Sequence, residues 1–237
     1  NTPKHIGVIA SGHVAKERED QIEEAKAIID AGVDSYVFIS NQFAKPDESE
    51  DVAKKNIEYM IDNIPCDSFG IYECPYPYKR LVAPATLKWC AETGKFAFLK
   101  DTCCDLDGLK AKVEAVKGTP LKIFNANSAT LLESLKMGCS GFSGVMANFH
   151  ADMYGWLCKN FKEQPEKAEL MQAFLGFASV IECQVYPVNA KYHMNLEGVP
   201  MTLNCRNKDK NDLTGSRKLE VEQLHTLYKH MRKEFFN

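Results

Sequence analysis

The sequence has no Cys-x-x-Cys pair, no histidine spacing typical of a zinc site, no long apolar run and no marked excess of charge of either sign. Each absence closes off a class of function. A net charge of −3 over 237 residues leaves no electrostatic footprint for nucleic acid or an anionic membrane surface. No apolar stretch is long enough to span a bilayer, so no membrane partner is expected. The nine cysteines are Cys66, Cys74, Cys90, Cys103, Cys104, Cys139, Cys158, Cys183 and Cys205. Their number is odd, and several lie inside apolar patterns, where a thiol serves as a small hydrophobe. That pattern points to a reducing compartment, the cytoplasm, rather than to a disulfide scaffold. His150 and Asp152 lack a third ligand, so no metal is expected there. Low-complexity segments and domain linkers are also lacking.

What the sequence does have is alternation. Strand-like runs occur at Ile6–Ala10, Tyr36–Ile39, Ser68–Tyr72, Phe96–Lys100, Leu121–Phe124 and Gly141–Val145. Between and after them, helical patterns cover Glu17–Ala31, Glu48–Ile61, Pro84–Cys90, Leu106–Val116, Ser128–Met137 and Ala151–Phe161, with Gly32 and Gly138 as stop signals. Six such strand–helix units with short connections imply a parallel sheet with right-handed crossovers, and a barrel more than an open sheet. Further on, Glu166–Glu182 and Leu219–Phe235 read as helices, with a polar loop over Arg206–Ser216. Asp105 and Asp107 stand where a helix starts and complement its dipole.

In parallel α/β barrels the chemistry lies at the carboxyl ends of the strands. Among the residues there, Lys100 is the one plausible nucleophile and Tyr72 the one plausible proton relay. Burial disfavours an ammonium and lowers its pKa, and a neutral amine attacks ketones. If their strands pair, Tyr72 and Lys100 face one pocket.

Tyr72-Glu73-Cys74-Pro75 followed by Lys100-Asp101-Thr102 resembles the dihydrodipicolinate synthase and N-acetylneuraminate lyase family, with its tyrosine-x-x-proline on the fifth barrel strand and its lysine on the sixth. Asn125–Ala129 and Gly141–Asn148 resemble the seventh and eighth strand ends, and Ile6–Gly32 the third strand and its helix. The resemblance implies a (β/α)8 TIM barrel with a C-terminal helical extension. Residues 1–160 would be barrel strands three to eight and residues 161–237 the extension. It also implies a class I lyase or aldolase that joins or cleaves a 2-oxo acid, pyruvate in type, and an aldehyde. Lys100 would form an imine, Tyr72 would shuttle protons, and Ser143, Gly144 and Ala126 would line the bound acid. The resemblance calls for no metal or organic cofactor, and it suggests a homo-oligomer, a dimer or a tetramer.

Three departures stand out. The first two strand–helix units of the family are absent, so this chain is expected to be a portion of a longer polypeptide, or to take those strands from another segment. Where synthases of the family carry an arginine, this sequence has Pro77, with Lys79 and Arg80 nearby. Phe43 aligns with a segment that often offers a tyrosine to the relay, and a phenyl ring carries no proton. Two other readings stand beside the enzyme: a catalytically weak barrel that binds a 2-oxo or sugar acid as sensor or scaffold, and an unrelated α/β enzyme with a coincidental motif.

Overall fold

The computed structural model describes residues 3–236. Six strands form one sheet in the order β1 (Ile9–Ala10), β2 (Ser35–Ile39), β3 (Phe69–Tyr72), β4 (Phe96–Asp101), β5 (Lys122–Asn125) and β6 (Gly141–Phe142). Consecutive pairs from β1 to β5 run parallel. The helices that follow these strands are α1 (Arg18–Asp30), α2 (Glu50–Asn63), α3 (Pro84–Glu92), α4 (Leu106–Ala115), α5 (Leu131–Met137) and α6 (Ala147–Asn160). Then come α7 (Pro165–Ala178), α8 (Val188–Leu196) and α9 (Gly215–Phe236). The chain is thus α/β with a consecutive six-stranded sheet, as the alternation predicts.

The chain divides into two compact units. The first holds the residues up to Ala126 with Lys136–Gly141. Its core is the apolar side of β2 to β5 under the first four helices, including Phe38, Phe69, Leu87, Phe96 and Leu99. Phe38 and Phe69 stack with ring centroids 4.9 Å apart, which supplies aromatic packing beyond simple burial. Local signals set the ends of these helices. Pro84 occupies the first turn of α3, where its missing N–H costs nothing. The Asp105 carboxylate caps α4 by accepting from Gly108 N at 2.7 Å. The helix that Gly32 was expected to stop ends there, with Gly32 at φ +89°, a left-handed conformation that glycine adopts without a Cβ clash.

The second unit holds Asn127–Leu135 and the residues from Phe142 onward. Met153, Leu157, Met171, Leu175 and Val221 pack its helices together. Tyr154 stacks on Phe142 at 3.9 Å and donates its hydroxyl to Ser128 Oγ at 2.8 Å.

Several boundaries differ from the sequence expectation. Only Ile9 and Ala10 of the run Ile6–Ala10 pair as strand, because Val8 N donates to the Asp34 carboxylate at 2.6 Å. The last strand ends at Phe142, not Val145. The helix after it starts four residues early, at Ala147, and carries a break at His150, whose φ/ψ of −133°/47° is non-helical. The helix expected over Glu166–Glu182 gives way to a 3-10 segment at Ser179–Cys183. Helix α8 has no counterpart in the sequence reading.

Candidate active site

The paired strands β3 and β4 bring the two expected residues together. Tyr72 and Lys100 are Cα partners in the ladder, so both side chains leave the same face of the sheet. The Lys100 Nζ lies 4.2 Å from the centroid of the Tyr72 ring. Both residues are half-buried. Burial holds the Lys100 amine below its ordinary pKa, with the neighbouring Cys74 thiol opposing the shift. A cation over a phenol ring is stabilised by the ring quadrupole, so the amine has a partner there when it is charged.

A bulge makes this register possible. Phe69 pairs with Phe96, but Gly70 pairs with Phe98, so Ala97 is an extra residue in β4. Phe69 and Phe96 both face the helices. Strict alternation from Phe96 would send Lys100 to that side too. The bulge inverts the sequence of faces, so that Phe98 and Lys100 share a side with Gly70 and Tyr72. Gly70 is required beside it. A Cβ there would sit 2.2 Å from Phe98 Cζ, so the Phe98 ring occupies the space that any side chain would need. Phe98 and Phe124 meet edge to face at 6.1 Å, and Phe124 is the ladder partner of Lys100 on its other side. An aromatic floor therefore lies next to the amine and restricts water there.

The opposite face of the same strand ends is charged. Lys112 of α4 places Nζ 2.5 Å from Glu73 Oε1 and 2.5 Å from Asp101 Oδ2, and all three side chains are buried. The two carboxylates overcome the effect of burial on Lys112 and hold its pKa above the ordinary value. Burial, with help from the Asp101 charge, raises Glu73 against the pull of Lys112. This group is not among the residues to which the strand-end pattern points. The available signal was Lys112 on the stripe of Leu109 and Val116, an apolar face where a solvated lysine does not belong.

The other expected residues are distributed as follows. Ala126 follows β5, and its N–H donates to the Asp101 carbonyl at 3.0 Å, which fixes it beside the end of β4. Ser143 and Gly144 belong to the second unit, where the Gly144 carbonyl accepts from Ala147 N at 3.2 Å as α6 begins. Lys79 Nζ donates to the Thr102 carbonyl at 2.7 Å. The Arg80 guanidinium is bound by the carbonyls of Lys45, Glu48 and Ser49 and by the Glu50 carboxylate at 2.8 Å. Asn41 donates to the carbonyls of Cys74, Tyr76 and Tyr78, which holds the loop after β3 in place. Phe43 is buried among aromatic rings, 5.2 Å from Phe38 and 5.0 Å from His13. Among the described residues no group of three or more His, Cys, Asp or Glu is disposed to hold a metal ion.

A family model described as the dihydrodipicolinate synthetase family matches residues 4–228. The chain is 24% identical over 204 residues to a 4-hydroxy-tetrahydrodipicolinate synthase of Clostridium perfringens, an alignment covering 85% of this chain and 67% of that protein. Its fold is similar to that of a prophage protein of E. coli K12 solved in complex with pyruvate, with a TM-score of 0.81 at 20% identity over 95% of this chain and 76% of that one. The fold is also similar to that of CdNal from Clostridium difficile in complex with mannosamine, with a TM-score of 0.79 at 18% identity over 95% of this chain and 76% of that one.

Proposed function

The chain belongs to the dihydrodipicolinate synthetase family, and from that premise we propose that it is a Schiff-base-forming lyase or aldolase, which cleaves or forms the bond between a pyruvate-type 2-oxo acid and an aldehyde. The observation that carries this reading is the in-register Tyr72–Lys100 pair, with the amine 4.2 Å above the phenol ring and depressed in pKa by burial. The neutral Lys100 amine attacks the ketone carbon. The carbinolamine then loses water to give an imine, and the protonated imine accepts the electron pair released when the carbon–carbon bond breaks. Tyr72 delivers a proton to the departing hydroxyl and takes one from the reacting oxygen of the aldehyde portion. By resemblance to the family, the backbone at Ser143 and Gly144, and Ala126, would line the bound acid. The six strands would correspond to strands three to eight of a (β/α)8 barrel, in keeping with the similarity to chains of which this one covers about three quarters.

Engagement of Arg80 with the start of α2, and of Lys79 with the Thr102 carbonyl, favours an aldehyde partner without a carboxylate of its own. Such a partner fits a neutral, sugar-derived aldehyde better than the second substrate of dihydrodipicolinate synthesis.

The direct test is to incubate the protein with pyruvate, reduce with borohydride, digest, and map the product by mass spectrometry. A carboxyethyl group on the Lys100 peptide is the expected result. A folded sample that carries none overturns the assignment.

A further inference from the structure

Behind the Tyr72–Lys100 pair lies a charged group that the proposed chemistry does not use. Lys112 enters from α4 and meets Glu73 and Asp101 in a site sealed from water. Burying three charges is costly, and a buried ion pair is weak evidence of stabilisation for its own sake. Where these charges act is therefore informative. Glu73 directly follows Tyr72, and Asp101 directly follows Lys100.

Backbone atoms complete the arrangement. Glu73 Oε1 accepts from Val82 N at 2.8 Å and Oε2 from Thr102 N at 2.9 Å, while Thr102 Oγ1 donates to the Glu73 carbonyl at 2.7 Å. The Glu73 N–H donates to the Lys100 carbonyl at 3.2 Å. Asp101 Oδ1 accepts from Cys103 N at 3.0 Å. All but one of these bonds fix backbone within three residues of Tyr72 or Lys100 on both sides; the exception, from Val82, ties in the segment that leads into α3. Because successive strand residues point to opposite faces, fixing Glu73 and Asp101 on the helix side fixes the direction of their neighbours on the other side.

We propose that Lys112 is a positioning residue for the Schiff-base pair: its ammonium clamps Glu73 to Asp101, and so holds the ends of β3 and β4 at the spacing that keeps the Lys100 amine over the Tyr72 ring. The proposal rests on the reading of Lys100 as the imine-forming amine. Without Lys112 the cation that bridges the two strand ends is gone, and Glu73 and Asp101, one of them driven to take up a proton, no longer hold the ends at that spacing. Water then reaches Lys100, and its reactivity approaches that of an ordinary lysine.

The test measures the amine itself. Trace labelling with acetic anhydride across a pH series, read on the Lys100 peptide by mass spectrometry, gives the pH of half-reactivity without any substrate. Lys112→Met is compared with wild type and with Ile22→Ala, a core truncation in α1 that loosens the same unit without touching the clamp. In Lys112→Met the half-reactivity point is expected to rise towards that of an ordinary lysine, and the rate of borohydride-trapped pyruvate adduct to fall roughly tenfold to a hundredfold. Ile22→Ala should retain the wild-type half-reactivity point. If Lys112→Met does not fold, Asp101→Asn carries the comparison, with a smaller shift in the same direction. An unchanged half-reactivity point in the variant overturns the clamp, and so does an equal shift in Ile22→Ala. Absence of any wild-type pyruvate adduct, with the labelling shift present, would instead overturn the imine assignment and leave the clamp standing.

Discussion

Lys100 sits in the fold at a cost. Its ordinary pKa is 10.5, and burial holds it lower in the folded chain. Below that ordinary value the unfolded chain binds the proton more tightly than the fold does. The amine therefore opposes folding at neutral pH, and the opposition fades as pH rises through the unfolded value. Lys100→Met is accordingly expected to raise the melting temperature at pH 7, by roughly 2–4 °C for each kcal/mol relieved, while abolishing the pyruvate adduct. Differential scanning calorimetry alongside adduct trapping checks both, and a lower melting temperature contradicts the reasoning. At this scale the sequence was informative where chemistry is carried by residue type at a strand end. Tyr72 and Lys100 could be read that way. The buried Glu73–Lys112–Asp101 group could not, because its members come from two strands and a helix and meet only in three dimensions.

Elements carry a second layer of information, and here the sequence was partly silent. Strict alternation along Phe96–Asp101 gives no sign of the bulge at Ala97, yet the bulge decides which way Lys100 faces. Helix α8 carries its apolar residues among polar ones, so its periodicity is weak, although Pro187 stands at its start and Gly198, at φ +82°, follows its end. The break at His150 in α6 was hidden for another reason: the residue is buried in a cluster of rings that exists only after folding. Its ring lies 5.3 Å from His193, 4.7 Å from Tyr228 and 5.5 Å from Phe174, and His193 in turn lies 5.4 Å from His225. Asp152 accepts from Tyr228 at 3.0 Å, and Glu197 faces His225 at 3.2 Å. Burial, with the nearby charges of His193 and His225, pulls His150 down to about 3 from an ordinary 6.5. Between those values the unfolded chain takes up a proton and the fold does not, so stability falls as pH drops from about 6.5 towards 3, by up to ~1.4 kcal/mol per pH unit for this ring. In the first unit His13 is likewise lowered to about 3, by burial first and then by Arg18. His150→Phe should keep the stacking on Tyr228 and flatten the acid side of a urea-derived stability–pH curve. Acid limbs of equal slope in the two proteins would rule this out.

For the molecule as a whole, the alternation of strands and helices was legible from apolar periodicity alone, and the structure follows it through six strands in consecutive order. Contacts of long side chains with distant backbone were not legible. Arg80 read as a cation near the site, whereas its guanidinium is spent on the carbonyls that lead into α2. Under the proposed function, substrate choice follows from that difference. With pyruvate as co-substrate, turnover of a neutral polyhydroxy aldehyde is expected to exceed that of an aldehyde bearing a carboxylate by roughly tenfold or more, the scale of one missing charge-assisted hydrogen-bond pair. Steady-state kcat/KM for the two aldehydes measures it, and a preference for the carboxylated one reverses the conclusion. The ion triad behind the strand ends has a consequence for descent. Losing Lys112 leaves two acid groups facing each other out of reach of water, whereas losing Glu73 or Asp101 leaves the lysine paired with the other acid, so a single replacement at position 112 is the poor intermediate. Lineages related to this chain should keep the lysine for as long as they keep both acids, and lose it only after one of the acids has gone.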